Sequence, residues 1–157
     1  MLSHVNSDNQ PAMVDVSGKT PTKRTAHARA VVAVPEEVAA LFADGDLHSK
    51  KGPVFQTAIV AGVMAAKKTS ELIPLCHPIG LEDCKINIQL RENGEIQIDC
   101  RTTVTHKTGV EMEALTGATV AALTVYDMCK GVSHDIVIRD TRLIEKRGGK
   151  NDYDART

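Results

Sequence analysis

Three polar clusters interrupt a chain that otherwise packs small apolar residues, and each holds groups able to move protons or grip anions. The first is Lys50-Lys51-Gly52. It lies just ahead of a helical pattern opened by Pro53, so an ammonium and the free N–H groups of a helix start together attract an anion. A Lys-Gly pair before a helix is equally an ordinary surface turn. The second cluster is Lys67-Lys68, followed by Leu75-Cys76-His77-Pro78. Lysines in a last helical turn are first of all partners of the helix dipole. His77 carries more meaning, because Pro74 and Pro78 restrict the backbone around it and imidazole exchanges protons near neutral pH.

The third cluster has two parts. Glu111-Met112-Glu113 opens the last long helical pattern, and Tyr126-Asp127-Met128-Cys129-Lys130 closes it. Acids in a first turn are common dipole partners. Asp127 follows Val120, Leu123 and Thr124 at helical spacing, so it emerges from a mostly apolar stripe, where burial raises a carboxyl pKa unless a cation is close. Lys130, three residues on, is placed to be that cation, and a purely structural Asp–Lys pair is the plain alternative. Lys146 precedes the Gly148-Gly149 pair. Gathered in one pocket, Lys51, His77, Glu113, Asp127, Lys130 and Lys146 suit a substrate with a polyphosphate at one end and proton transfers at the other. Hydride transfer fits poorly, since no Gly-rich dinucleotide turn occurs, and the Walker phosphate loop of ordinary NTPases is also absent from the sequence.

Composition narrows the setting. A chain of 157 residues suits one domain. Its formal net charge of −1 lacks the basic footprint of a nucleic-acid binder. No apolar run reaches bilayer-spanning length, and the N-terminal stretch lacks the pattern of a signal peptide, so a cytoplasmic protein without membrane partners is expected. Cys76, Cys84, Cys100 and Cys129 form neither a C-x-x-C pair nor a compact disulfide framework. They read as reduced thiols. Cys76 beside His77 has no second close ligand pair, so no metal site is expected, and a metal hydrolase built on these two residues is the weaker rival. The stronger rival is a non-catalytic module that binds a small anionic effector.

The elements that must position these groups follow from periodicity. Residues 1–24 are polar and weakly periodic, which predicts a mobile arm; residues 25–150 form a single catalytic domain, and 151–157 a polar tail. His27–Val34 reads as a strand, and Glu36 to Gly45 as a short helix with Val38, Leu41 and Phe42 on one face. A long helix runs from Pro53 until Pro74 stops it. Two alternating strands follow, joined by a turn containing Asn93-Gly94, then a second long helix over 108–130 and a last strand from Asp135. This is the ferredoxin-like β-α-β-β-α-β order, an α+β sandwich with an antiparallel sheet and two long helices on one face. The opposite face, read as apolar and uncovered, calls for a partner copy.

The strings KGPVFQTAIVAGVMAAKKTSELIPLCHPI and TGVEMEALTGATVAALTVYDMCKGV closely resemble segments of the molybdenum-cofactor biosynthesis protein C family, the cyclic pyranopterin monophosphate synthases. With the MVDVS start and the EKRGGK end, the resemblance covers nearly the whole chain. It implies a homohexamer, a trimer of dimers with active sites at dimer interfaces. It also implies a nucleotide-derived substrate, 3′,8-cyclo-7,8-dihydroguanosine 5′-triphosphate, supplied by an upstream radical GTP cyclase, with cyclic pyranopterin monophosphate and diphosphate as products. No cofactor is implied, although Mg2+ can accompany the triphosphate. By motif, Asp127 matches the catalytic acid/base, and Lys51, Lys130 and Lys146 match functional lysines. Leu75, Cys76 and His77, together with Met112 and Glu113, match substrate-binding segments, Glu111 accompanies Glu113, and Arg24 matches a triphosphate-binding arginine. His77 and the lysines are then expected to hold the triphosphate while Lys51 and Lys130 trade protons. Two positions depart from the family pattern: Ile59 stands where Arg is frequent, and the residues flanking Gly148-Gly149 differ from the commoner KSGGKSG.

Overall fold

The computed structural model describes residues 4–155; the outermost residues of the expected arm and tail lie outside the described residues. Strand β1 (Thr22–Ala33) is followed by a four-residue helix α1 (Glu36–Ala39), then by the short strands β2 (Phe42–Ala43), β3 (Asp46–Ser49) and β4 (Gly52–Pro53). Helices α2 (Val54–Ala66) and α3 (Thr69–Leu72) come next, then β5 (Asp83–Leu90), β6 (Glu95–His106), the long helix α4 (Glu111–Cys129), β7 (Val137–Arg147) and β8 (Tyr153–Asp154). The main sheet has the order β5-β6-β1-β7-β8 and is antiparallel throughout. Without β8 this is the expected ferredoxin-like sheet.

Alternation along β1 explains why the sheet takes its helices on one face. Ala26, Ala28, Ala30 and Val32 are buried beneath α4, as are Ile96, Ile98 and Cys100 of β6. Small residues let the two main helices approach each other and the sheet closely. A Cβ added to Gly62 of α2 would stand 2.8 Å from the carbonyl oxygen of Gly117 on α4 and would collide with Ile86, and one added to Gly117 would stand 2.7 Å from Cys100 Sγ.

The other face of the sheet is polar, which corrects the expectation of an apolar surface awaiting a partner. Its cross-strand neighbours include His27 opposite Arg101, Arg29 opposite Asp99, and Lys85 opposite Arg101. Asp99 is buried there and accepts hydrogen bonds from His27 Nε2 at 2.6 Å, Arg29 Nε at 2.9 Å and Gln97 Nε2 at 2.7 Å. Exposed apolar side chains are found on the outer faces of the helices, with Val60, Met64 and Leu123 each more than half exposed, and singly elsewhere, as at Val137 of β7.

The expected helix from Glu36 to Gly45 stops at Ala39. Asp44 and Gly45 both take positive φ, 52° and 82°, and turn β2 back onto β3. Asp-Gly is a hairpin signal, and here it outranks the helical spacing before it. The hairpin also delivers Asp46 to the start of α2. Its carboxylate is buried and accepts the backbone N–H groups of Phe55 at 2.6 Å and Gln56 at 3.2 Å, besides that of Leu47. An N-cap normally comes from the residue before the helix, which here is Pro53; Asp46 supplies the same service from across a hairpin.

Candidate active site

A cavity lies where the N-terminal segment, β1, the 73–79 loop and the first turn of α4 meet. Its volume is about 310 Å³, and its lining includes Arg24, Leu75, Cys76, His77, Met112 and Glu113. Thus six of the expected site residues converge although their sequence separation approaches ninety positions. The double-proline segment does what its composition predicts: Cys76 N–H bonds back to the carbonyl of Ile73 at 3.1 Å, closing a turn that turns His77 inward. His77 Nε2 lies 2.7 Å from the carbonyl oxygen of Val14, so this nitrogen donates and the ring is anchored to the N-terminal segment.

Glu113 is the chemically unusual group of the cavity. It is only 3% exposed, and burial pushes its carboxyl up to about 7. Its own backbone N–H pulls it down less strongly, and the charge of Glu111 adds a smaller upward push. A carboxyl poised at that value both gives and takes a proton near neutrality. Cys76, by contrast, is a poor nucleophile or metal ligand: burial, then Glu113 and Glu111, raise its thiol above the ordinary range. Among the described residues no group of three His, Cys, Asp or Glu side chains is placed to hold a metal ion.

Lys146 and Glu111 form a second, adjacent feature. Lys146 Nζ lies 3.0 Å from Glu111 Oε1, and the pair borders a small niche that also includes Arg24, so Arg24 belongs to both walls. Arg24 is itself oriented by its Nε donating to the carbonyl of His106 at 3.1 Å.

The remaining three site residues are elsewhere. Asp127 accepts from Lys51 Nζ at 2.7 Å and from Lys130 Nζ at 2.8 Å, one ammonium on each carboxylate oxygen. Hydrogen bonds from Lys130 and then Lys51 hold the carboxyl down at about 2, and Asp127 in turn raises the Lys130 ammonium. The expected burial of Asp127 is not found: its side chain is 53% exposed, because the residues one turn back leave it on the solvent side of the helix end. Nor is the helix start beside Lys51 an open anion site, since Asp46 already fills it.

One helix therefore carries two chemical ends. Glu113 stands in its first turn and Asp127 in its last, which at 1.5 Å per residue puts them roughly 21 Å apart. A single chain brings Arg24, Leu75, Cys76, His77, Met112 and Glu113 around one cavity, sets Lys146 and Glu111 beside it, and keeps Lys51, Asp127 and Lys130 at the far end. The expectation that all these groups share one pocket is not met within one copy.

Comparison with known proteins adds to this geometry. The model of the MoaC family matches residues 13–149, which includes every element from β1 to β7. The chain is 51% identical to the cyclic pyranopterin monophosphate synthase of Xanthomonas oryzae pv. oryzae, over 98% of this chain and 93% of that protein. It is 49% identical to molybdenum cofactor biosynthesis protein 1 of Dictyostelium discoideum, over 96% of this chain but 26% of that protein. It is 48% identical to a molybdenum cofactor biosynthesis bifunctional protein of Synechocystis, of which it spans 45%. A match covering the cavity, the niche and the lysine–aspartate end alike leaves no part of the described chemistry outside it: the chain belongs to the MoaC family.

Proposed function

We propose that the chain acts as a cyclic pyranopterin monophosphate synthase of molybdenum cofactor biosynthesis, a lyase that converts 3′,8-cyclo-7,8-dihydroguanosine 5′-triphosphate to cyclic pyranopterin monophosphate and diphosphate. The observation that carries this reading is the cavity lined together by Arg24, His77 and the buried Glu113. It offers a cation for phosphate and a carboxyl able to exchange a proton with a purine-derived ring.

Two kinds of step are required. Opening and reclosing the ring needs protons given and taken; closing the cyclic phosphate forms one P–O bond at the phosphorus next to the sugar, breaks the bond to diphosphate, and sends the attacking hydroxyl's proton to a base. Lys51 and Lys130 are the proton donors suited to the first, and Asp127, ionised between them, steers both ammoniums and accepts a proton in the second. Glu113 and His77 hold the ring, and Lys146, tethered by Glu111, supports the phosphate side.

Since the two ends of α4 cannot reach the same ring, we place the active site between two copies, with one supplying the cavity and the other the Lys51–Asp127–Lys130 end. A homohexamer built as a trimer of dimers accommodates that arrangement. The test is complementation. Glu113→Ala and Asp127→Ala variants are each expected to be inactive on the cyclised substrate, with diphosphate and cyclic phosphate followed by phosphorus NMR. After subunit exchange, a mixture regains up to roughly a quarter of wild-type turnover, because half of the sites in mixed dimers are intact. No recovery despite demonstrated exchange overturns the shared site, and no turnover by folded wild-type protein overturns the activity.

A further inference from the structure

Two of the four cysteines meet, although nothing in their spacing along the chain announces it. Cys84 lies near the start of β5 and Cys100 in the middle of β6, where Cys84 stands opposite Thr102 and Cys100 opposite Ile86. Both side chains belong to the helix side of the sheet, as diagonal neighbours on the same face. Diagonal pairs are usually wider spaced than direct ones. Here the two sulfurs lean together to 4.0 Å and share a hydrogen bond.

The two thiols differ in their surroundings. Cys100 is fully buried, and its sulfur lies against the bare backbone of α4 at Gly117. Cys84 is only partly buried and sits on β5, the edge strand of the main sheet. The hydrogen bond with Cys100 lowers the Cys84 thiol against the opposing effects of burial and Asp83, while the same bond, followed by burial, raises Cys100. Cys84 is thus the more accessible sulfur and the one that more readily takes the reactive thiolate form. Burial raises both remaining thiols, Cys76 and Cys129.

A disulfide brings its sulfurs to about 2.05 Å, so each would travel about 1 Å from its present place. The edge position of β5 allows that shift, because this strand has a sheet neighbour on one side only.

We propose that Cys84 and Cys100 form a reversible oxidation site for small-molecule disulfides, in which Cys84 attacks, Cys100 resolves, and the product is an intrachain disulfide pinning β5 to β6. With oxidised glutathione the steps balance as follows. Cys84 releases its proton to water and attacks one glutathione sulfur; the bond between the two glutathione sulfurs breaks, and one glutathione leaves as its thiolate. Cys100 then gives up its proton, attacks the Cys84 sulfur and expels the second glutathione with the electron pair of that bond. Two protein thiols are oxidised, and one glutathione disulfide is reduced to two thiols. The second step is intramolecular, so proximity offsets the weak acidity of Cys100. The link also fixes the return of the segment that carries His77, since that segment runs directly into β5, where the Glu82 N–H already donates to the Thr103 carbonyl at 3.0 Å.

The test exposes folded, full-length wild type, Cys84→Ser and Cys100→Ala to oxidised glutathione and maps the thiols by non-reducing peptide mass spectrometry. Wild type should lose two of its four free thiols to a Cys84–Cys100 link that dithiothreitol reverses. Cys100→Ala should instead retain glutathione on Cys84, and Cys84→Ser should leave Cys100 unmodified. Amide hydrogen exchange over β5 should slow in oxidised wild type and stay unchanged in Cys84→Ser treated in the same way. Glutathione that remains on Cys84 of wild type, or that reaches Cys76 or Cys129 before Cys84, overturns the proposal, and unchanged exchange in the linked protein overturns the pinning of β5. If Cys100→Ala fails to fold, wild type and Cys84→Ser decide the matter between them. No readout involves the cyclised substrate, so the outcome is independent of the activity proposed above.

Discussion

Glu113 and Asp127 stand at opposite ends of α4 with their acidities displaced in opposite directions, the first up to about 7 by burial and the second down to about 2 by Lys130 and Lys51. Two carboxyls pushed apart in this way are suited to divide the work of acid and base in the proposed reaction. One helix serves both, and in a single chain its length keeps them from cooperating.

Asp127 is expected to matter for turnover and hardly at all for folding. A depressed carboxyl contributes stability that is present above its ordinary value of 3.8 and is lost as the pH falls toward about 2. With the side chain 53% exposed, solvent screens that contribution. Asp127→Asn should leave the thermal midpoint at pH 7 nearly unchanged while lowering turnover by about a hundredfold or more, the usual scale for a proton-handling group. Differential scanning calorimetry and the phosphorus NMR assay on the same preparation check both halves. A fully active Asn variant removes Asp127 from the mechanism.

Glu113 should show the opposite profile. Its folded pKa is raised from 4.5 to about 7, so the native state holds the proton more tightly than the unfolded chain does. Stability is therefore fully present below pH 4.5 and is lost as the pH rises through that window toward 7. Glu113→Gln removes the ionisation. It should match wild type in urea denaturation at pH 4 and exceed it at pH 8 by up to about 3 kcal/mol, the equivalent of the shift. Equal stability of the two proteins at pH 8 would show that the buried carboxyl is solvated after all.

Much of this was legible before any coordinates. Asn93-Gly94 marks the hairpin between β5 and β6, with Gly94 at φ 77°, and the small-residue stripes of the two long helices foretell their close approach. Pro74 and Pro78 announce a braced His77. What escaped were relationships that depend on distance in three dimensions. Helical spacing around Asp127 reports which residues share a stripe but not which stripe faces the sheet, so exposure was read as burial. Asp46 carries no local sign that it caps a helix starting eight residues later. Lys19 and Lys107 look like surface lysines, and only the assembled cavity brings them into one lining.

Asp46 supplies a third expectation. Its carboxylate satisfies two N–H groups at the start of α2 that have no partner within the helix, in a buried position. Asp46→Ala strands those donors away from water and should cost about 1–3 kcal/mol, more than an exposed cap would. Because Asp46 opens β3, whose turn into β4 carries Lys51, catalysis should suffer as well, through displacement of the ammonium from Asp127. Urea denaturation measures the first effect. Turnover of the residual folded fraction measures the second, and an Asn variant, which retains an acceptor oxygen, should recover part of both.

The contact between α2 and α4 makes the last expectation, and it separates packing from chemistry. Gly62 contributes no side chain to the reaction, yet the helices cross there with a backbone carbonyl, Gly117 O, only 2.8 Å from where a Cβ would be. A carbonyl held in a helix cannot swing aside like the end of a flexible side chain, and Ile86 blocks the same space. Gly62→Ala must therefore push the helices apart, and overpacking of this kind costs about 1–3 kcal/mol, outweighing the roughly 1 kcal/mol that alanine gains in helix propensity. Gly18→Ala, where nothing lies within 4 Å, is the control and should be nearly neutral. Because α4 carries Glu113 at one end and Asp127 at the other, a shifted helix should also move both halves of the site, so turnover by Gly62→Ala should fall even under conditions where the variant remains folded. A stable Gly62→Ala protein with full activity would mean that the two helices do not pack as closely as this geometry requires.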